Sequence, residues 1–110
     1  MHTVAYLFRR KPGMSRETFF KLYNEHKKVM AGNARGLISY TQHPIREPQK
    51  IGDTYTTTEY DDFDALSIYT YRSAEDSEFS NQLTAISSDS ERFIDFETMI
   101  SLPLNKEPVI

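Results

Sequence analysis

The sequence predicts an α+β domain in which a four-stranded antiparallel sheet carries helices on one face. Three observations support this fold. The 110 residues are enough for one domain, four short segments are rich in strand-forming residues, and two longer segments have the apolar spacing of amphipathic helices. Their order along the chain is strand, helix, strand, strand, helix, strand. Because right-handed crossovers then place both helices on the same face, we expect a single ferredoxin-like βαββαβ domain spanning residues 1–110.

The first strand and the first helix have clear sequence boundaries. Residues 3–10 are strand-formers, and the Pro and Gly of the following KPG end the strand. Ser15 is a suitable N-cap for a helix that runs to about Ala31, with Gly32 as its stop. One apolar stripe of this helix consists of Phe19, Leu22, Tyr23, His26, Val29 and Met30. A histidine therefore lies within the stripe that faces the core.

The second strand is predicted at residues 37–43 and ends at Pro44. Strict alternation divides its side chains into one face with Ile38, Tyr40 and Gln42 and another with Ser39, Thr41 and His43. Residues 46–62 are polar and form a long connection, which could fold over a site as a lid and has room for a short strand near Tyr55.

The third strand is predicted at residues 65–71, with the sequence ALSIYTY. Ser73 and Asp76 then form a capping box that begins a second helix. The spacing of apolar residues predicts that the buried side of this helix carries Phe79, Leu83 and Ile86.

The segment SSDSERFIDF begins with another cap-like cluster of serines. It predicts a further helical turn that carries Phe93 and Ile94. The fourth strand is expected at residues 96–104, and residues 105–110 form a tail.

Strands one and three carry apolar or aromatic side chains on both faces. In the third strand, Leu66 and Ile68 lie on one face, and Tyr69 and Tyr71 lie on the other. Helices cover only one face of the sheet, so the second face needs another cover. The same sheet from a second copy is the simplest one, and we predict a homodimer whose sheets face each other as a dimeric α+β barrel.

Composition and charge exclude several classes of function. The net charge is only -3, and charges of both signs are interspersed, so nucleic acid is not an expected partner. The absence of cysteine excludes disulfides, thiolate metal sites and a cysteine nucleophile. No apolar run is long enough for a signal-peptide core or a membrane span. We expect a cytoplasmic protein without a membrane partner.

Neither the acidic residues nor the histidines have the spacing of a metal site. The cluster of Glu59, Asp61, Asp62 and Asp64 lacks the glycine and terminal glutamate of a calcium loop, and three scattered histidines give no zinc pattern. Solvated turn carboxylates are the expected role of the acidic cluster. We therefore predict no metal.

The segment FRRKPGMSRETFFKLYNEHKKVM resembles the opening of the EthD-type members of the dimeric α+β barrel superfamily. The similarity lies in a strand that ends in basic residues, the KPGMS turn, an aromatic pair and a histidine at His26. It continues through YTQ at 40–42, Asp64 before the third strand and the late ERFIDF, and it covers about residues 4–104.

The resemblance implies a small, cofactor-free protein with a cavity between sheet and helices. Similar proteins of polyketide pathways act as cyclases, dehydratases or decarboxylases of phenolic intermediates, whereas the founding EthD protein is an accessory of ether degradation. Two positions depart from the pattern. The third strand lacks the second histidine of some relatives, and Ala65 follows Asp64 where glycine is usual.

Candidate catalytic residues are those that can move a proton or stabilise an enolate: His26, His43 and Tyr40. Imidazole has an unperturbed pKa of about 6.5 and suits proton transfer near neutral pH. His43 faces the site only if the second strand twists or bulges, and it is otherwise an exposed strand-end residue. A core histidine that hydrogen-bonds a backbone carbonyl is the alternative for His26. Candidate substrate-binding residues are Phe20, Tyr23, Met30, Gln42 and Tyr69.

The function that these residues predict is that of a cofactor-independent lyase or cyclase, acting on an aromatic polyketide-derived phenolic compound. His26 would remove a proton next to a carbonyl group, and Tyr40 or Tyr69 would stabilise the enolate. A non-catalytic small-molecule binding or accessory protein is the first alternative, and a cofactor-free monooxygenase is the second.

Overall fold

The computed structural model describes residues 1–46 and 63–110. The described elements are β1 (His2–Arg10), α1 (Arg16–Asn33), β2 (Leu37–Pro44), β3 (Ala65–Tyr71), α2 (Ala74–Gln82), α3 (Thr84–Glu91) and β4 (Ile94–Leu104). The four strands form one antiparallel sheet in the order β2-β3-β1-β4. The predicted α+β, ferredoxin-like architecture is confirmed, although the second helical segment is divided into two helices.

The predicted connection at 46–62 lies outside the described residues, apart from Arg46. This holds for its role as a lid, for the short strand near Tyr55 and for the carboxylates of Glu59, Asp61 and Asp62. Within the described ranges, no helix combines the length and the apolar character that crossing a membrane requires.

Helix α1 begins where the sequence predicts and ends slightly later. The Ser15 hydroxyl accepts a hydrogen bond of 3.1 Å from the Thr18 backbone N–H, which confirms the predicted cap. Gly32 lies in the last turn and is not the stop, because the helix continues to Asn33. After the helix, Gly36 has a positive φ of +69°, and an added Cβ there would collide with the Asp76 carboxylate.

The second helical segment breaks at Leu83, which has an extended backbone with φ -66° and ψ 128°. This break separates α2 from α3. Ile86 is buried as predicted and Leu83 is partly buried, but Phe79 is 42% exposed. The prediction for Phe79 is wrong because α2 turns its serines inward, where the Ser80 hydroxyl accepts the Arg35 backbone N–H at 2.8 Å. The Arg35 guanidinium instead lies over the Phe79 ring, 3.7 Å from the ring centroid.

The predicted further helical turn is present in α3, but the placement of Phe93 and Ile94 on it is wrong. Helix α3 ends at Glu91, and β4 begins at Ile94, two residues earlier than the sequence predicts. The serine cluster lies inside α3 and does not cap it, because the N-cap residue is Leu83, without a side-chain hydrogen bond. Phe93 is fully buried against the rings of Phe8, Phe19, Tyr23 and His26.

Two buried clusters join the helices to the sheet. The first contains Phe8, Phe19, Tyr23, Ala65, Phe93 and Ile94. The second contains Val4, Met30, Tyr69, Tyr71 and Ile86. Edge-to-face ring contacts dominate the first cluster, with Phe8 and Tyr23 at a centroid distance of 5.5 Å.

Asp64 is a buried carboxylate and not a solvated one, which corrects the sequence prediction. Its side chain is 1% exposed and contacts the Arg10 guanidinium at 2.7 Å and the Arg16 guanidinium at 3.2 Å. The Arg10 backbone N–H donates to its second oxygen at 2.8 Å. These bonds join the end of β1, the start of α1 and the start of β3.

We expect the substitution Asp64→Ala to lower the free energy of unfolding by about 2 to 3 kcal/mol, because it leaves two guanidinium groups and a backbone N–H without their acceptor. Urea unfolding followed by circular dichroism measures this change. Glu97→Ala, which removes an exposed carboxylate, is the control. Equal stability of the two variants would contradict a structural role for Asp64.

The face of the sheet opposite the helices is open. Strand register places three cross-strand rows on it: His43, Leu66, Leu7 and Ile100; Thr41, Ile68, Ala5 and Leu102; and Ser39, Thr70, Thr3 and Leu104. The β4 members of these rows are large apolar residues, and each is 41% to 43% exposed. We refer to these rows as the open sheet face.

A bulge in β2 changes the predicted alternation at its start. Leu37 pairs with Tyr71 and Ser39 pairs with Thr70, so Ile38 is the extra residue. Leu37 packs on the second core cluster, and Ile38 is 49% exposed. Ile38 therefore does not share the core-facing side of the strand with Tyr40.

Candidate active site

A cavity of about 440 Å³ lies between the helices and the covered face of the sheet. The sheet contributes mainly aromatic and apolar side chains, and α2 and α3 contribute most of the polar ones. The lining residues from the sheet are Tyr6, Phe8, Tyr69, Ile94, Phe96, Met99 and Ser101. Those from the helices are His26, Met30, Asn81, Ile86, Ser87, Ser90 and Glu91. One wall can therefore stack on a flat molecule while the other can hydrogen-bond its edge.

His26 projects from α1 toward α3 and is paired with a carboxylate. Its Nδ1 lies 2.7 Å from Oδ2 of Asp89, and the other oxygen of Asp89 accepts a hydrogen bond of 2.9 Å from Arg92. The His26 side chain is 3% exposed, and that of Asp89 is 12% exposed. An ionised carboxylate only accepts hydrogen bonds, so Nδ1 carries the proton in a neutral ring.

The second ring nitrogen of His26, Nε2, is open to the cavity. None of the described residues forms a hydrogen bond with it. Among the described residues, every buried side-chain nitrogen or oxygen that solvent cannot reach has a hydrogen-bond partner. Nε2 is therefore accessible, and the cavity that His26 lines provides the access.

Burial sets the charge state of this pair. Desolvation lowers the pKa of His26 below 6.5, and this effect exceeds the opposing influence of the Asp89 carboxylate. Burial by itself would raise the pKa of Asp89, but hydrogen bonds from His26 and Arg92 hold that pKa below its ordinary value. At neutral pH the pair is thus a neutral imidazole and an ionised carboxylate, with an unprotonated Nε2 as a potential base.

A cluster of tyrosines lies on the covered face of the sheet, and Tyr69 connects it to the cavity. The rings of Tyr40 and Tyr69 stack with a centroid distance of 4.4 Å and an interplanar angle of 8°. Gln42 donates to the Tyr40 hydroxyl at 2.6 Å and to the Tyr23 carbonyl at 2.7 Å, and the Tyr23 hydroxyl lies 2.7 Å from that of Ser67. Burial raises the pKa of Tyr23, Tyr40 and Tyr69, so all three hydroxyls stay protonated.

The structure places only some of the predicted site residues at the cavity. His26, Met30 and Tyr69 line it. Tyr40 and Gln42 lie beside Tyr69 on the same face of the sheet and do not line the cavity. Tyr23 is buried in the first core cluster, and Phe20 packs against that cluster beside Arg16.

His43 lies away from the cavity. It is exposed on the open sheet face, where its Nε2 is 2.9 Å from the Thr41 hydroxyl. The bulge in β2 occurs at its first residues, so the end of the strand keeps the alternation that directs His43 outward. The geometry gives no support to a role for His43 in this cavity.

Two residues next to each other in α3 were not predicted from the sequence, namely Asp89 and Ser90. Asp89 lies 63 positions from His26, and no local spacing connects them. The only available signal was the general requirement of a buried imidazole for a hydrogen-bond partner.

Among the described residues, no group of three or more histidines and carboxylates could hold a metal ion.

The fold and the site together define a ferredoxin-like α+β protein with a histidine-carboxylate pair at a cavity between sheet and helices. The EthD domain family matches residues 11–97, which is most of the chain, and the protein belongs to this family. No curated protein sequence matches it significantly.

Solved structures of similar fold have very different sequences. The protein At3g17210 of Arabidopsis thaliana is 12% identical, with a TM-score of 0.69 over 100% of this chain and 99% of its own. Hydroxynitrile lyase from Passiflora edulis is 11% identical, with a TM-score of 0.65 over 96% of this chain and 94% of its own. The cofactor-independent oxygenase SnoaB of Streptomyces nogalater is 9% identical, with a TM-score of 0.62 over 98% of this chain and 96% of its own. These similarities show the fold.

Proposed function

We propose that this protein is a cofactor-independent lyase or cyclase, of the dehydratase or decarboxylase type, acting on an aromatic polyketide-derived phenolic compound. The observation that carries the proposal is the His26–Asp89 pair, which leaves Nε2 unprotonated and open to the cavity. Membership of the EthD family supports it, and so does the similar fold of a hydroxynitrile lyase.

His26 acts as the general base. Nε2 takes a proton from a carbon next to a carbonyl group, and the electron pair of the C–H bond moves into the enolate. The imidazolium that forms lies 2.7 Å from the Asp89 carboxylate, which stabilises its charge. The imidazolium then returns the proton to a hydroxyl group on the adjacent carbon, and the C–O bond breaks to release water. Such proton transfer typically contributes about 10² to 10⁴-fold to a rate.

The walls of the cavity suit an aromatic substrate. Tyr6, Phe8 and Tyr69 present ring surfaces, and a volume of about 440 Å³ lies in the range of small-molecule sites. Orientation against these rings adds to the effect of the base.

Hydrogen exchange tests the proposed chemistry directly. The probe is 2-tetralone, a flat bicyclic ketone with acidic C–H bonds next to its carbonyl. We expect the protein in deuterated buffer to exchange these hydrogens faster than buffer alone, as followed by proton NMR. A rate equal to that of buffer, with the ketone bound, would contradict the proposed base.

The same experiment separates the alternatives. Binding of aromatic ketones and phenols without exchange is the result expected of a small-molecule binding or accessory protein. A cofactor-free monooxygenase, which the fold of SnoaB makes the second candidate, would consume oxygen with a quinol substrate. An oxygen electrode measures that uptake.

We also propose that the protein is a homodimer formed through the open sheet face. Ile100, Leu102 and Leu104 form a row of exposed apolar side chains there, beside the apolar residues of β1 and β3. A second copy of the same face would cover this row in a two-fold arrangement.

The substitution Leu102→Glu should convert the dimer to a monomer, because it places a charge in the middle of the proposed interface. Light scattering after size-exclusion chromatography measures the mass, which should fall from twice 12.8 kDa to 12.8 kDa. Val109→Glu, in the exposed tail, is the matched control. A wild-type protein that is monomeric at micromolar concentration would refute the dimer.

A further inference from the structure

Ser90 is a buried residue whose hydroxyl has no partner within the described protein. It is 8% exposed, lies in the last turn of α3 and lines the cavity. No hydrogen bond joins its Oγ to any of the described residues. Among the described residues, every side-chain nitrogen or oxygen that solvent cannot reach has a hydrogen-bond partner. The Ser90 Oγ has none, so it must be accessible, and the cavity that Ser90 lines provides the access.

Several other serines of the helices and the sheet are satisfied by the protein. Ser88, two residues earlier in the same helix, donates to the backbone carbonyl of Thr84. Ser67 and Ser80, which are more deeply buried, pair with the Tyr23 hydroxyl and the Arg35 backbone. Ser77, Ser87 and Ser101 also lack a side-chain partner among the described residues, but Ser77 does not line the cavity, and Ser87 and Ser101 are more exposed. Among the described serines that line the cavity, Ser90 alone is more than nine-tenths buried, and a ligand can supply its missing partner.

The position of Ser90 connects it with the histidine pair. It directly follows Asp89, whose carboxylate holds His26. Helix α3 therefore fixes the hydroxyl next to the residue that orients the base. His26 and Ser90 are both more than nine-tenths buried, and each has one unpaired polar atom facing the same cavity.

We propose that the Ser90 hydroxyl donates a hydrogen bond to the substrate's carbonyl oxygen, which becomes the enolate oxygen when His26 removes the neighbouring proton. This assignment rests on the proposed function. It gives Ser90 the role that the sequence assigned to Tyr40 or Tyr69. The Tyr40 hydroxyl already accepts from Gln42, and the Tyr69 hydroxyl interacts with that of Tyr40.

Charge and atoms balance in this step. The C–H proton goes to Nε2 of His26, the C–H electron pair forms the new carbon-carbon double bond, and the carbonyl π pair moves to oxygen. Ser90 keeps its proton, and its hydrogen bond strengthens as negative charge develops on the oxygen. When the imidazolium protonates the leaving hydroxyl, the carbonyl group forms again and water departs.

The first test is kinetic. We expect Ser90→Ala to lower the first-order rate of 2-tetralone exchange at saturation by about 10²-fold, with a small change in the half-saturating concentration, because the hydrogen bond strengthens only as the enolate forms. Ser88→Ala, on the same helix, is the control and should exchange at the wild-type rate. A Ser90→Ala variant that is folded and exchanges as fast as Ser88→Ala would overturn the assignment.

The second test uses binding alone, so it remains decisive if the protein proves not to catalyse exchange. The probes are nitrophenolates of graded basicity, which carry negative charge on oxygen as an enolate does. Affinity for the wild-type protein, followed by absorbance, should increase with the basicity of the phenolate, and Ser90→Ala should flatten this dependence. An equal slope in both proteins, or no binding to the wild type, would overturn the role of Ser90. A slope that depends on Ser90 without any exchange would instead reject the proposed function.

Discussion

Replacing His26 by alanine should reduce the rate of 2-tetralone exchange by about 10² to 10⁴-fold, the usual contribution of a general base. The structure gives two reasons for an effect of this size. Nε2 of His26 is a nitrogen base that opens onto the cavity and has no partner within the described protein. Burial also lowers the pKa of the ring, so the base form is already present at neutral pH.

Asn24→Ala is the matched control for this experiment. Asn24 lies on the exposed side of α1, less than one turn from His26, and among the described residues its side chain hydrogen-bonds only with Lys27. Binding of 2-tetralone should persist in both variants. If His26→Ala binds the ketone and exchanges it at the wild-type rate, His26 is not the base and the proposed chemistry is wrong.

Replacing Asp89 by asparagine should lower the exchange rate on the order of 10²-fold, although Asp89 does not touch the substrate. The carboxylate fixes the proton on Nδ1, and it stabilises the imidazolium that forms during the reaction. An asparagine amide can donate to the ring as well as accept from it. The tautomer with its proton on Nε2, which cannot act as a base, then becomes populated.

The pH dependence of the exchange rate tests whether Asp89 acts by orienting the His26 ring and stabilising its charged form. In the wild type the rate should rise with pH and level off, with a midpoint below 6.5, because the pKa of His26 is lowered. Asp89 opposes that lowering, so its removal should shift the midpoint to still lower pH while the plateau falls. A purely structural defect would lower the plateau without this shift.

Nitrogen NMR of the imidazole provides a measurement that is independent of catalysis. The wild-type ring should show a protonated Nδ1 and an unprotonated Nε2, whereas Asp89→Asn should show a mixture of tautomers. Glu78→Gln, on the exposed side of α2 and outside the cavity lining, is the control and should leave the imidazole spectrum of the wild type unchanged. Identical imidazole spectra for wild type and Asp89→Asn would reject the positioning role.

Local sequence determined the order of the elements and most of their boundaries. The cap at Ser15, the alternation of strand residues and the helical spacing around His26 are all effects between near neighbours in the chain. Such effects operate in any context. The apolar stripe of α1 is therefore sufficient to predict a buried histidine on the core-facing side of the helix.

Tertiary structure decided how distant segments meet. The break at Leu83 turns Phe79 outward, and it sets α3 so that Asp89 reaches a histidine 63 residues earlier. The burial of Asp64 likewise depends on two arginines from other elements. These contacts follow from packing between segments, which single-sequence periodicity does not encode. For this reason the sequence indicated a buried histidine on the core-facing stripe, whereas only the assembled fold revealed the carboxylate that pairs with it and the cavity that it lines.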